Sequence, residues 1–117
     1  MYCATNGHLY ELFWRGVPAV QGRDLTALSG APTPVGTVSG GYNPGDNTQH
    51  VIFRSGDGRP HELWHFVGET AVHHGDLTAA YAAPAAADRP MYYATPSAPN
   101  QHVAYRGTNG HIYELIW

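Results

Sequence analysis

The feature that most constrains this chain is that it repeats itself. Gln49-His50-Val51-Ile52-Phe53-Arg54 returns 52 residues later as Gln101-His102-Val103-Ala104-Tyr105-Arg106. At the same interval Asp24-Leu25-Thr26 returns as Asp76-Leu77-Thr78, Ala31-Pro32 as Ala83-Pro84, and Glu62-Leu63 as Glu114-Leu115. A third, partial copy opens the chain. Asn6-Gly7-His8-Leu9-Tyr10-Glu11-Leu12-Phe13-Trp14 matches Asn109-Gly110-His111-Ile112-Tyr113-Glu114-Leu115-Ile116-Trp117, 103 residues on. Separate segments sharing one interval mark a repeat architecture in which each unit is one supersecondary structure. Residues 1–48 form a partial first unit, 49–100 a second, and 101–117 the hairpin of a third.

Each unit has a β pattern. His102 to Arg106 and Ile112 to Trp117 are strand-length runs rich in aromatic and β-branched residues, and Asn109-Gly110 lies between them. Asn6-Gly7 and Asp57-Gly58 occupy the same place in the other copies. Such dipeptides predict hairpins with a type I′ turn, which needs positive φ at both central residues. Further strands are expected over Ala19 to Thr26 and Val72 to Thr78, and a fourth in each unit around Gly40 to Tyr42 and Pro90 to Ala94. Asp24 and Asp76 recur at strand ends as turn caps. The Ala- and Pro-rich stretches from Ala27 to Gly36 and from Ala79 to Pro90 read as connecting loops, because Pro84 breaks any helix there.

Four short antiparallel strands repeated at about fifty residues match the blade of a β-propeller. Both faces of the strands carry apolar or aromatic residues, as blades covered by neighbours require. The expected fold is therefore all-β, with about two and a quarter propeller blades in this chain. Propellers close with about four to eight blades. The chain would then be a fragment of a longer repeat protein or a homo-oligomer that completes the ring, with a two-sheet sandwich as the alternative.

Composition narrows the partners. Charged residues make up 13% of the chain, about half the usual quarter, and all six basic residues are Arg. A net charge of −3 without a basic run argues against nucleic acid. The single cysteine, Cys3, excludes an internal disulfide framework and a cysteine-based zinc cage. No apolar run approaches the ~20 residues of a membrane span, and no charged-then-apolar leader precedes Tyr2.

The segment Arg106-Gly107-Thr108-Asn109-Gly110-His111-Ile112-Tyr113-Glu114-Leu115-Ile116-Trp117 resembles the repeat of bacterial β-propeller lectins. More distantly, Arg on one strand with Glu and Trp on the next is similar to the six-bladed fucose-binding lectins. The resemblance covers the three hairpins well and the connections poorly. It implies sugar sites between adjacent blades, formed by Arg54 with Glu62 and Trp64, Arg106 with Glu114 and Trp117, and Glu11 with Trp14. Glycans, fucosylated ones included, would be the partners, an extracellular location follows, and no cofactor is implied. An aromatic face suits the C–H face of a pyranose, while Arg donors and a carboxylate suit its hydroxyls. Two departures make the sites unequal: Cys3 stands where Arg54 and Arg106 stand, and His65 takes the register of Trp14 and Trp117.

A plainer reading stands beside this one. Arg and Glu in each hairpin would form a cross-strand ion pair worth roughly 0.2–1 kcal/mol, the tryptophans would be core, and the chain would be a structural or protein-interaction propeller. His73 and His74 point to opposite faces of a strand, which disfavours a metal site. His50 and His102 recur with the repeat as structural hydrogen-bonding residues. No nucleophile elbow, zinc-protease or phosphate-loop motif is present, so an enzyme is not expected.

Overall fold

The computed structural model describes residues 1–14, 16, 19–96 and 100–117. It contains three small antiparallel sheets and two very short helices. The first sheet pairs β1 (Tyr2–Cys3), β2 (Leu9–Phe13) and β3 (Gln21–Asp24). The central sheet is a four-stranded meander of β4 (Ser39–Asn43), β5 (Thr48–Arg54), β6 (Pro60–Phe66) and β7 (His73–Asp76). The third holds β8 (Met91–Ala94), β9 (Gln101–Arg106) and β10 (Ile112–Ile116). Among the described residues these sheets do not close into a ring.

The three hairpins form where the repeat places them, with a different turn. Gly7, Gly58 and Gly110 have φ of 81°, 85° and 85°, whereas Asn6, Asp57 and Asn109 do not have positive φ. Gly58 N–H donates to the Ser55 carbonyl and Ser55 N–H to the Arg59 carbonyl, each at 3.0 Å, and the other two hairpins repeat both bonds. This is a type I turn followed by a glycine bulge rather than type I′. The Asx side chain explains the choice: Asn6, Asp57 and Asn109 each accept a hydrogen bond from the backbone N–H two residues on.

The expected strands Ala19 to Thr26 and Val72 to Thr78 are shorter than the sequence suggested. β3 and β7 end at Asp24 and Asp76, where single helical turns begin: α1 (Leu25–Ser29) and α2 (Leu77–Tyr81). Each Asp is a helix N-cap, accepting from Ala27 N–H at 2.9 Å and Ala79 N–H at 3.1 Å. The second carboxylate oxygen of each cap binds the hairpin residue after the glycine, His8 in one unit and Arg59 in the next. α2 thus occupies the start of a stretch expected to be loop. A helix this short owes its existence to its cap and to one buried leucine, Leu25 or Leu77, each worth about 1.5–3 kcal/mol when removed from water.

The connections repeat as faithfully as the strands. Pro34 bridges to Ser55, and Ala86 bridges to Gly107. Val35 N–H donates to the Arg54 carbonyl and Ala87 N–H to the Arg106 carbonyl, each at 2.8 Å. Each connector is thereby tied to the hairpin of the sheet it leads into.

Two apolar clusters hold the sheets together. Val51 and Phe53 of β5 pack with Leu9 and Leu25 of the first unit. Ile52, between them, packs on the other face with Leu77, Tyr92, Val103 and Tyr105. The central sheet is therefore covered on both faces. The outer face of β10 has no neighbour among the described residues, and Ile112 and Ile116 are exposed there.

Where β4 meets β8, backbone lies against a ring. A Cβ on Gly41 would stand 2.7 Å from the Tyr92 ring, and that ring is stacked on the buried His50 at 5.2 Å. Both rings are buried. Gly41→Ala should therefore lower stability by about 1–3 kcal/mol, the usual cost of overpacking, measured as a shift of the urea midpoint at unchanged slope.

Candidate functional site

Two clefts lie between the sheets, and the repeat relates them. The first, about 200 Å³, is bounded by Glu11, Phe13, Trp14 and Arg23 of the first unit and by Gln49, His65, Val67 and Gly68 beyond them. The second, about 340 Å³, is lined by Asp46, Thr48, His50, Glu62, Trp64, Phe66, Gly75 and α2 on one side, and by Gln101 and Trp117 on the other. Glu11, Phe13, Arg23, Gln49 and His65 of the first cleft occupy the repeat positions of Glu62, Trp64, Gly75, Gln101 and Trp117. A hollow of about 320 Å³ over β4 carries no charged side chain in its lining.

The first cleft is filled by its own arginine. Arg23 Nε donates to Glu11 Oε2 at 2.7 Å, and Nη1 donates to the Glu69 carbonyl at 3.1 Å. Arg23 Nη2 lies 2.6 Å from His65 Nε2. His65 Nδ1 lies 3.0 Å from the Phe66 carbonyl and donates to it, which leaves Nε2 as the acceptor for Arg23. The guanidinium carbon also stands 5.7 Å from the Phe13 ring centroid. Burial pushes the Glu11 carboxyl up, but the Arg23 guanidinium beside it outweighs that effect and holds it below its ordinary range.

The second cleft has a longer polar floor. Glu62 Oε1 lies 2.7 Å from His50 Nδ1, and His50 Nε2 lies 2.5 Å from the Thr48 hydroxyl. That hydroxyl donates to Asp46, whose other oxygen accepts from Gln101 Nε2 at 3.5 Å. Since the Thr48 proton goes to Asp46, His50 Nε2–H donates to Thr48, and a proton is also shared between His50 Nδ1 and Glu62. His50, Thr48, Glu62 and Gln101 are all buried. Gln101 Oε1 and the Tyr92 hydroxyl have no hydrogen-bond partner among the described residues. Burial, with Glu62 and Asp46 nearby, pushes the Tyr92 phenol up to about 12. Aromatic rings wall the cleft: Trp64 stacks on His73 at 5.3 Å, and Trp117 on Tyr81 at 5.6 Å.

Structure regroups the residues that the sequence singled out. Glu62, Trp64 and Trp117 meet in the second cleft, so Trp117 joins the glutamate of the preceding unit rather than Glu114. Glu11 and Trp14 line the first cleft. Glu114 lies on the open face of the third sheet, bonded to the Tyr93 hydroxyl and 3.1 Å from His102 Nδ1. These two bonds hold the Glu114 carboxyl below its usual range.

The expected Arg–Glu pairs do not form. Register sets Ile52 opposite Glu62 and Pro60 opposite Arg54, and Glu62 turns along the opposite diagonal to His50. Arg54 instead donates to the Ala86 carbonyl at 3.5 Å, and Arg106 to Asp88 at 2.8 Å. Both arginines sit at strand ends near the hairpin turns, while the glutamates lie further in, where a short imidazole reaches them. The hydrogen bond expected of the recurring histidines is present in both sheets that contain one. The sequence reading missed Arg23, Gln49, Gln101 and Asp46. Gln49 and Gln101 carried a signal in their periodicity, and Arg23 in its departure from Gly75 beside the matching Asp24 and Asp76. Among the described residues no three His, Cys, Asp or Glu side chains are grouped to hold a metal ion, and no helix is long and apolar enough to cross a membrane.

Because Glu11 titrates lower in the folded chain than its ordinary value of 4.5, its stabilising effect is complete above that value. The effect is lost as pH falls through the folded pKa. Urea midpoints measured down an acid series should drop for the parent chain, and drop less steeply for Glu11→Gln.

A scan of protein-family models finds no match to this chain, and a search of curated proteins finds none either.

Proposed function

We propose that this chain is a carbohydrate-binding protein assembled from β-propeller blades, with its sugar site in the second cleft. Three meandering sheets, each entered at one edge and left at the other, suit a row of blades. A ring of about four to eight would be completed by further chain or by other copies. The observation that carries the functional reading is a cleft walled by Trp64 and Trp117 and lined by the buried Gln101, whose Oε1 has no partner among the described residues. A buried acceptor left unpaired costs about 1–3 kcal/mol, and a sugar hydroxyl entering the cleft supplies a donor. The volume of about 340 Å³ lies within the range of small-ligand sites.

A second reading, a structural or protein-interaction propeller without a small ligand, is favoured by the first cleft, where Arg23 already satisfies the polar groups. The two readings separate on one experiment. In the carbohydrate reading the chain binds a subset of glycan-array sugars, and Trp117→Ala weakens that binding by about tenfold, or 1.4 kcal/mol, while Trp117→Phe restores much of it. Failure of every array sugar to bind at millimolar concentration, with Trp117→Ala lowering only the melting temperature, would leave the structural reading standing.

A further inference from the structure

Resting on the carbohydrate reading of the second cleft, we infer that this cleft is a site for an organic cation, filled by an amine-bearing sugar rather than by the neutral fucosylated glycans that the resemblance implied. The first cleft shows what the repeated geometry accommodates. There the Arg23 guanidinium is surrounded by the Glu11 carboxylate, the lone pair of His65 Nε2, the Glu69 carbonyl and the face of Phe13. Each of these is an acceptor or a π face, and none is a donor that a neutral hydroxyl would need for its own lone pairs.

The second cleft keeps the carboxylate and the aromatic face and omits the cation. Glu62 repeats the carboxylate, Trp64 enlarges the ring of Phe13, and Trp117 presents an indole where His65 stood. Indole is the strongest of the aromatic partners for a cation. Gly75 stands where Arg23 stands, and the cleft widens from about 200 to about 340 Å³. Gln101 is 7% exposed and its Oε1 has no partner among the described residues, while its Nε2 already faces Asp46. Asp46 brings an exposed carboxylate, and Glu62 one that shares a proton with His50, the one basic side chain of the lining, whose other ring nitrogen meets Thr48. An ammonium group donates to Gln101 and Asp46 and lies against the tryptophan faces. A neutral sugar offers hydroxyl donors but brings no positive charge to the two indole faces or the Asp46 carboxylate.

Position 75 also accepts the experiment that the first cleft suggests. A Cβ there meets the nearest atom of Trp64 at 3.4 Å, an ordinary contact. Gly75→Arg would fill the second cleft as Arg23 fills the first.

Calorimetric titration of the full chain in mildly acidic buffer, where a sugar amine is protonated, tests the inference with four probes. These are glucosamine, glucose, N-acetylglucosamine and methylguanidinium. Glucosamine is expected to bind about tenfold or more tighter than the two neutral sugars, methylguanidinium to compete with it, and Gly75→Arg to abolish its binding. Equal binding of all three sugars would overturn the cation site and leave the carbohydrate reading intact. Methylguanidinium bound without any of the three sugars would overturn the amine-sugar occupant, and silence from every probe overturns the cation site; the carbohydrate reading falls only if every array sugar also fails to bind. Competition on the parent chain decides the matter if Gly75→Arg does not fold.

Discussion

Strand β5 buries side chains on both of its faces, and the arrangement of the molecule depends on this. Val51 and Phe53 reach toward the first sheet while Ile52, one step out of phase, reaches toward the third. A strand's alternation normally separates a dry face from a wet one. Here both faces are dry, so the central sheet must be sandwiched. The outer sheets are held at the distance those side chains set. Everything polar that lies between the sheets, including both clefts, is placed by that spacing.

Between dry faces, polar groups must answer one another. Each unit solves this at the same glutamate and with a different neighbour. Glu11 takes Arg23, Glu62 takes His50, and Glu114 takes His102 and Tyr93 on an open face. A buried carboxylate left alone would cost far more than any of these contacts returns. The repeat therefore conserves the need for a partner within this chain while varying its identity. That variation makes the first cleft narrow and closed by its own arginine and the second wide and aromatic.

Much of the fold was legible in the sequence because repetition reports tertiary equivalence directly. The hairpins at Asn6-Gly7, Asp57-Gly58 and Asn109-Gly110, the strands they join and the extra strand before each full hairpin lie where the pattern put them. The type of turn was misread because an Asn-Gly pair suits two geometries, and the Asx side chain's bond to the backbone selects between them. The helical turns after Asp24 and Asp76 were hidden for another reason. Five residues are too few to show a period, and the turns persist through an N-cap and a leucine buried against a distant strand.

The candidate site was legible only in its ingredients. Glu62, Trp64 and Trp117 stood out as residue types suited to a ligand, but pairing them by hairpin set Trp117 beside Glu114 rather than Glu62, whose cleft it lines, and set Arg54 and Arg106 beside glutamates that they do not bond. By itself the sequence determined the unit, its period and which residues recur in it. Those follow from local strand and turn preferences, which a linear pattern records. Only the tertiary structure decided that Trp117 faces Glu62, that Arg23 closes one cleft and that Gly75 leaves the other open. Those contacts join side chains from successive sheets, and their geometry is set by how far apart the buried faces of β5 hold those sheets.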